Sequence, residues 1–199
     1  MQSDLQPPDL FGPAAETQRL FFALWPSGDL RKRIADEVDH LQARHAVGGR
    51  RLRPARYHLT LQFLGDFSPL PPDLLHRACQ AARSAAQELA PFDLALDRSG
   101  AFGATGWLGC SNMPTGLRRL WEVLGRCLVQ AGIPPKSGRT LVPHVTVIRD
   151  SRVPLATQDV GPLPWAVDRF VLVRSAGGNR VYTVEGEWPL VGRDDDGHD

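Results

Sequence analysis

Two histidines in this chain are each followed two places later by a threonine, in His58-Leu59-Thr60 and His144-Val145-Thr146. At the two-residue period of a strand, Tyr57, Leu59, Leu61 and Phe63 fall on one apolar side. His58, Thr60 and Gln62 fall on the other. In the second stretch, Val145 and Val147 oppose His144 and Thr146 in the same way. Imidazole has an unperturbed pKa of about 6.5, so near neutral pH one copy can take a proton while another gives one. Cleavage of a phosphodiester needs both acts, one on the attacking water or hydroxyl and one on the departing oxygen. The threonine hydroxyls can donate to the non-bridging phosphate oxygens as charge builds there. Arg53, Arg56 or Arg149 can neutralise the phosphate. The expectation is a protein of two halves, each presenting one imidazole and one hydroxyl to a shared cleft.

Two plainer readings stay open on spacing alone. The imidazoles could be metal ligands, although no third ligand stands at a recognisable spacing and no H-x-x-x-H or nearby carboxylate joins them. Each could also simply hydrogen-bond within its own sheet. The remaining histidines, His40, His45, His76 and His198, fall in or near expected helices or in the C-terminal tail. No G-x-S-x-G, G-x-x-x-x-G-K-[ST] or G-x-G-x-x-G occurs, so hydrolase-elbow, P-loop and dinucleotide readings have no support. No cofactor is expected.

The elements that must carry these residues can be read in order. Arg19–Trp25 is a short apolar run and an expected strand. Ser27 or Asp29 can cap a helix in which Leu30, Ile34, Val38 and Leu41 keep the amphipathic spacing. Gly48-Gly49 ends that helix, and Arg50, Arg51, Arg53 and Arg56 lead into the first His-x-Thr strand. Leu74, Leu75, Ala78, Ala82, Ala85 and Leu89 predict a second helix, closed by Pro91. Residues 92–97 and 105–110 read as a hairpin. Thr115 can cap a third helix through Leu117, Leu120, Trp121, Leu124 and Leu128, with Gly132 just beyond its end. After the second His-x-Thr strand, a loop around Pro154 and Gly161-Pro162 leads to one strand over about 165–174. Gly177-Gly178-Asn179 then turns the chain into a partner strand over 180–188. Helices and strands mixed with tight hairpins predict an α+β fold with antiparallel sheets and helices packed outside.

Composition sets the outer bounds. The 199 residues, 42% apolar, suit one large domain or two small lobes sharing a core. Residues 1–18 and 192–199 read as flexible acidic tails, leaving a single bilobal unit over 19–191 with a net basic body. Of the 23 basic residues only Lys32 and Lys136 are lysine. Three scattered cysteines without a C-x-x-C argue against a disulfide framework and for a reducing compartment. With no signal peptide and no apolar run near 18 residues, the expectation is a cytoplasmic monomer with no membrane contact.

Together, His58-Leu59-Thr60-Leu61-Gln62-Phe63-Leu64-Gly65 and Pro143-His144-Val145-Thr146-Val147-Ile148-Arg149 resemble the paired motifs of the 2H phosphoesterase superfamily. Arg19-Leu20-Phe21-Phe22-Ala23-Leu24 before a helix resembles its RNA 2′,3′-cyclic phosphodiesterase branch, historically called 2′-5′ RNA ligases. The likeness runs from about residue 19 to about 190 in element order. It implies a bilobal 2H phosphoesterase-like fold with pseudo-twofold symmetry, two antiparallel sheets and a central cleft. It implies metal-independent hydrolysis of a 2′,3′-cyclic phosphate on RNA, an oligonucleotide or a small cyclic nucleotide to a 2′-phosphomonoester. His58 and His144 would be catalytic, with His144 as base and His58 as acid. Thr60, Thr146, Arg149 and Arg56 would hold the phosphate, and Phe22 or Trp25 would stack a base. In a regular strand Arg149 lies on the face opposite His144, so the strand must bend there or Arg149 must reach in from its end. The alternatives are a ligase joining 2′-5′ ends and a non-catalytic nucleotide or RNA binder.

Overall fold

A computed structural model describes residues 16–45, 47–176 and 181–192. In chain order the elements are β1 (Gln18–Leu24), α1 (Gly28–His45), β2 (Arg50–Arg51), a 3-10 turn at Pro54–Arg56, β3 (Leu59–Phe67), α2 (Leu74–Gln87), β4 (Phe92–Phe102), β5 (Thr105–Gly109), α3 (Thr115–Gln130), β6 (His144–Arg149), β7 (Gln158–Val167), β8 (Arg169–Ala176) and β9 (Val181–Pro189). The three helices form where the apolar spacing placed them. Leu30, Ile34, Val38 and Leu41 are the buried stripe of α1, and the Ser27 hydroxyl accepts from the Leu30 amide at its start. Gly132 follows α3 at φ +71°, the left-handed conformation that glycine adopts without a Cβ penalty. No described helix is long and apolar enough to cross a membrane.

All strand pairs are antiparallel, in the order β7-β4-β5-β6-β3-β1-β8-β9, with β2 added beside β6. The two centre strands, β3 and β6, meet at one pair of residues, Leu59 and Val145. The nine strands therefore make one continuous sheet of two antiparallel halves hinged on a single bridge. A twofold exchange about that bridge swaps β3 with β6, β1 with β5, β8 with β4 and β9 with β7. Beyond the bridge the centre strands separate, and other segments take up their backbone groups. Lys136 donates its amide to the Phe63 carbonyl (2.7 Å), and the Ser137 hydroxyl accepts from the Phe63 amide (2.7 Å). On β6, the Leu52 amide donates to the Val147 carbonyl (2.9 Å). A split sheet with bare inner edges would leave such groups unpaired.

The helices cover one face of the sheet. Leu20, Phe22, Leu59, Leu61, Val145 and Val147 join the buried stripes of α1, α2 and α3 in one core. A separate small cluster of Phe21, Ala23, Val171 and Val173, with Trp25, Phe63 and Tyr182 against it, lies on the other face. That face is the cleft.

Three expectations about the chain need correction. Residues 158–174 are two strands, β7 and β8, broken at Asp168, and not one strand from Trp165. Proline had marked this stretch as a loop, but β7 is the outermost strand, where the missing N–H of Pro162 and Pro164 costs no inner ladder bond. The break also changes faces. Trp165 and Val167 join the main core, whereas Val171 and Val173 face the cleft. The N-terminal tail stops short of residue 18, since Gln18 pairs with Phe67 and Ala176. Thr115 is the first residue of α3 and Pro114 takes the cap position. The expected tails at 1–15 and 193–199, and the turn at Gly177–Asn179, lie outside the described residues.

Leu59 is fully buried at the hinge, so Leu59→Ala should lower unfolding free energy by about 2–5 kcal/mol. Chemical denaturation reads this as a shift of midpoint with unchanged slope. A loss below about 1 kcal/mol would show that the bridge is not held by packing.

Candidate active site

The side chains at the hinge are sorted by a departure from strand alternation that occurs within each His-x-Thr motif. On β6, Thr146 pairs with Trp107 and Ile148 with Gly106, so Val147 is one residue too many for its partner. On β3, Thr60 pairs with Ala23 and Gln62 with Phe22, so Leu61 is the extra one. Each is a bulge, and each reverses the parity of the residues beyond it. From His144 to Arg149 only His144, Thr146 and Arg149 stay half-buried, and Val145, Val147 and Ile148 are buried. Arg149 therefore rejoins the face of His144 and Thr146, which removes the conflict posed by regular alternation. On β3 the same shift turns Gln62 inward and Phe63 outward, the reverse of the expected alternation. Gln62 is 3% exposed and donates to the Trp121 carbonyl of α3 (2.8 Å). Phe63 occupies the position equivalent to Arg149, and Arg19, paired with Asp66, lies over its ring at 5.4 Å.

The two imidazoles are held alike. His58 Nδ1 lies 2.8 Å from the Arg56 carbonyl, and His144 Nδ1 lies 2.8 Å from the Val142 carbonyl. A carbonyl only accepts, so Nδ1 carries the proton in both rings and each Nε2 is left for the cleft. In antiparallel order, His58 and Thr146 follow at one end of the Leu59–Val145 pair, and Thr60 and His144 at the other. The approach to His144 is tight. A Cβ on Gly109, which pairs with His144, would stand 2.3 Å from the Pro143 carbonyl. Only glycine admits that backbone.

Their surroundings differ. His58 is boxed by aromatic rings, with Phe21 at 5.0 Å, Trp25 stacked at 5.9 Å and Tyr182 edge-on at 5.5 Å. His144 meets Phe102 edge-on at 5.1 Å. Burial pushes the His58 pKa down to about 4, against the hydrogen bond to Arg56 that favours its charged form. The positive charges of His144, Arg56 and Arg149 push it the same way as burial.

The sequence-predicted residues thus divide. His58, Thr60, His144, Thr146 and Arg149 gather on the cleft face. Arg56 stands behind His58, with its guanidinium 4.7 Å over the Tyr182 ring and Nη2 donating to the Tyr182 hydroxyl (3.1 Å). It acts through its charge and its carbonyl. Arg53 is exposed before the 3-10 turn. Phe22 does not reach the cleft. It is fully buried on the helix face beside Phe170 (6.0 Å) and Trp188 (5.9 Å), because neighbours on a strand point to opposite faces and it is Phe21 that faces His58. Trp25, the other base-stacking candidate, packs on His58. Phe21, Tyr182 and Phe102 pack on the two histidines, and the sequence did not reveal them. The parity of β1 relative to Ala23 could have found Phe21, but Tyr182 and Phe102 arrive from distant strands. Among the described residues no three His, Cys, Asp or Glu side chains gather as a metal site.

A protein-family model described as LigT like Phosphoesterase matches residues 24–106. The RNA 2′,3′-cyclic phosphodiesterase of Aquifex aeolicus is 29% identical over 138 residues, which is 65% of this chain and 67% of that protein. The RNA 2′,3′-cyclic phosphodiesterase of Geobacillus stearothermophilus is 29% identical over 152 residues, 70% of this chain and 47% of its own length. The chain thus matches about half to two thirds of the length of these curated relatives. Among solved structures, E. coli LigT in its apo form superposes with a TM-score of 0.71 at 29% identity, covering 88% of this chain and 98% of that one. The same protein complexed with 3′-AMP gives 0.70 at 27% identity and the same coverage.

The half-buried His58, boxed by aromatic rings, gives a stability signature. Its folded pKa lies below the ordinary 6.5, so between pH 6.5 and 4 the unfolded chain takes up a proton that the folded chain refuses. Its contribution is fully present above pH 6.5 and is lost as pH falls through this window, by up to about 3 kcal/mol. His58→Gln should show a correspondingly shallower loss of stability on acidification from 6.5 to 4, measured by denaturant midpoints. Equal slopes in both proteins would mean that His58 is not held neutral by the fold.

Proposed function

We propose that this chain, which is similar to the LigT-like phosphoesterases over residues 24–106 and to E. coli LigT in fold, hydrolyses 2′,3′-cyclic phosphate ends of RNA to 2′-phosphomonoesters, with His58 and His144 as the acid–base pair. The observation that carries this reading is the matched tethering of the two rings. Each has Nδ1 fixed on the carbonyl two residues before it, so each offers Nε2 to the space beside the hinge. The names of the curated relatives supply the substrate class, RNA with a 2′,3′-cyclic phosphate.

The steps follow from the groups in place. One Nε2 takes a proton from water as the oxygen attacks phosphorus. The bond to the ribose 3′ oxygen breaks on the far side, and that oxygen receives the proton from the other Nε2. The net result is one proton moved from acid to base, which solvent exchange restores. Thr60 and Thr146 donate to the non-bridging oxygens, and Arg149 faces their growing charge from the same side. Arg56 adds positive potential from behind His58. The site offers two imidazole nitrogens among guanidinium groups, an arrangement that favours an anion over a metal cation.

His58 is held neutral, with its proton on Nδ1 and Nε2 bare, which suits a base, while the family resemblance implies that His144 is the base. A bound phosphate anion favours protonation of the ring it approaches, so the division of labour is set in the complex. A substrate with an activated leaving group, which departs without a proton, identifies the acid.

With a nucleoside 2′,3′-cyclic phosphate in EDTA, the protein should release the 2′-phosphomonoester. His58→Ala and His144→Ala should each lower turnover by roughly 10²- to 10⁴-fold. With the activated substrate one of these two variants, and only one, should recover most of its rate. Equal responses would refute the separate acid and base roles. Loss of wild-type turnover in EDTA, restored by a divalent ion, would move the chemistry to a metal.

Thr60→Ala or Thr146→Ala should cost less than either histidine change, since each removes one donor among several. A loss as large as that of a histidine variant, read as kcat under saturating substrate, would give the hydroxyl a part in proton transfer.

A further inference from the structure

A nucleotide bound by its phosphate at the hinge must put its base somewhere within a nucleoside's reach of the two histidines. The aromatic rings around His58 are already engaged. Phe21 is 4% exposed and packed among Phe63 and Tyr182. Trp25 has His58 stacked on it and the Arg31 guanidinium 5.5 Å over its ring. Tyr182 is capped by Arg56. On the other half-sheet the situation is the reverse. Phe102 is 47% exposed although it is a phenyl ring touching His144.

That exposure is built into the hairpin. Phe102 and Thr105 are the last pair of β4 and β5, closed by a two-residue turn with Gly103 at φ +55°. Beneath Phe102 lies Trp107, with ring centres 5.4 Å apart and planes 31° from parallel. Trp107 in turn lies flat over Gly100, where a Cβ would come within 2.3 Å of its ring. Trp107 is also the strand partner of Thr146, so this stack stands on the same face as the phosphate-binding groups. A ring supported from below, on a short rigid turn and beside a reacting imidazole, keeps one face for a ligand. Stacking suits any base, because every base has a π-face.

We propose that Phe102 is the nucleobase platform of this cleft, stacking the base of the nucleotide that carries the cyclic phosphate, with little preference among the bases. The proposal rests on the phosphodiesterase reading for the identity of the nucleotide. It puts the bound nucleoside over the β4–β5 hairpin and not over the aromatic box of His58.

The test compares hydrolysis of a nucleoside 2′,3′-cyclic phosphate with that of glycerol 1,2-cyclic phosphate, which has the same five-membered ring and no base. In Phe102→Ala, the preference in kcat/KM for the nucleoside substrate over the base-free one should fall roughly 10- to 100-fold, carried by KM. Phe102→Trp should restore it. An unchanged preference, with both substrates slowed alike, would mean that Phe102 acts by positioning His144 and would overturn the platform. If the wild-type protein hydrolyses neither substrate, the phosphodiesterase reading fails by itself. Calorimetric binding of a nucleoside 2′-monophosphate to the wild type and Phe102→Ala then tests the platform alone, and equal affinities would overturn it.

Discussion

Everything that this protein can do with a phosphate depends on one backbone contact, the antiparallel pairing of Leu59 with Val145. It is the sole pair between the two centre strands, and it fixes the separation of the residues next to it on both sides. Were β3 and β6 paired along their whole length, the sheet would be flat and closed between the histidines. Were they unpaired, the two half-sheets would meet only through side chains and loops. One pair, fully buried on the helix side, joins the halves and lets them part at once. The parting is tolerated because Lys136, Ser137 and Leu52 take up the backbone groups that it strips of partners.

The bulges at Leu61 and Val147 do a second task. A flat strand would alternate its residues strictly and send the sixth residue of each motif into the core. One extra residue turns it back, bringing Arg149 to the cleft face in one half and Phe63 in the other. The same turn buries Gln62, whose amide finds the Trp121 carbonyl instead of water. The geometry of the two motifs is thus nearly twofold, while their chemistry is not. One half closes its histidine among rings, and the other keeps a guanidinium on the strand and an exposed phenyl at the rim.

Much of this could be read from the chain and some could not. Helical spacing located α1, α2 and α3, because burial of one stripe is a local property of the pattern. The polar parity of His58 with Thr60 and of His144 with Thr146 was legible because it precedes the bulges. Parity failed just after them, at Gln62, Phe63 and Arg149, since an extra residue is recorded in the partner strand and not in the bulged one. Nothing local in Phe21-Phe22 shows that Phe21 and not Phe22 meets the cleft, because the faces of β1 are set by its neighbours β3 and β8. The strand through Pro162 and Pro164 was lost because proline forbids an inner strand but tolerates the outermost one, and position in the sheet is not a local property. Tyr182 and Phe102 come from strands remote in sequence from the histidines they touch, and no spacing rule connects them.

The half-sheet that holds His58 is drawn from both ends of the chain. β1 and β3 come early, but β1 lies between β3 and β8, so its outer edge waits for residues 169–176. At typical ribosomal speeds of about 5–20 residues per second, the hundred-odd residues between β3 and β8 take on the order of 5–20 seconds to make. During that interval the row Leu20-Phe21-Phe22-Ala23-Leu24 has an unpaired apolar edge, the kind that invites pairing with another chain. The nascent chain is therefore open to aggregation through this edge until β8 is made, and completion of the β8–β9 hairpin ends that exposure.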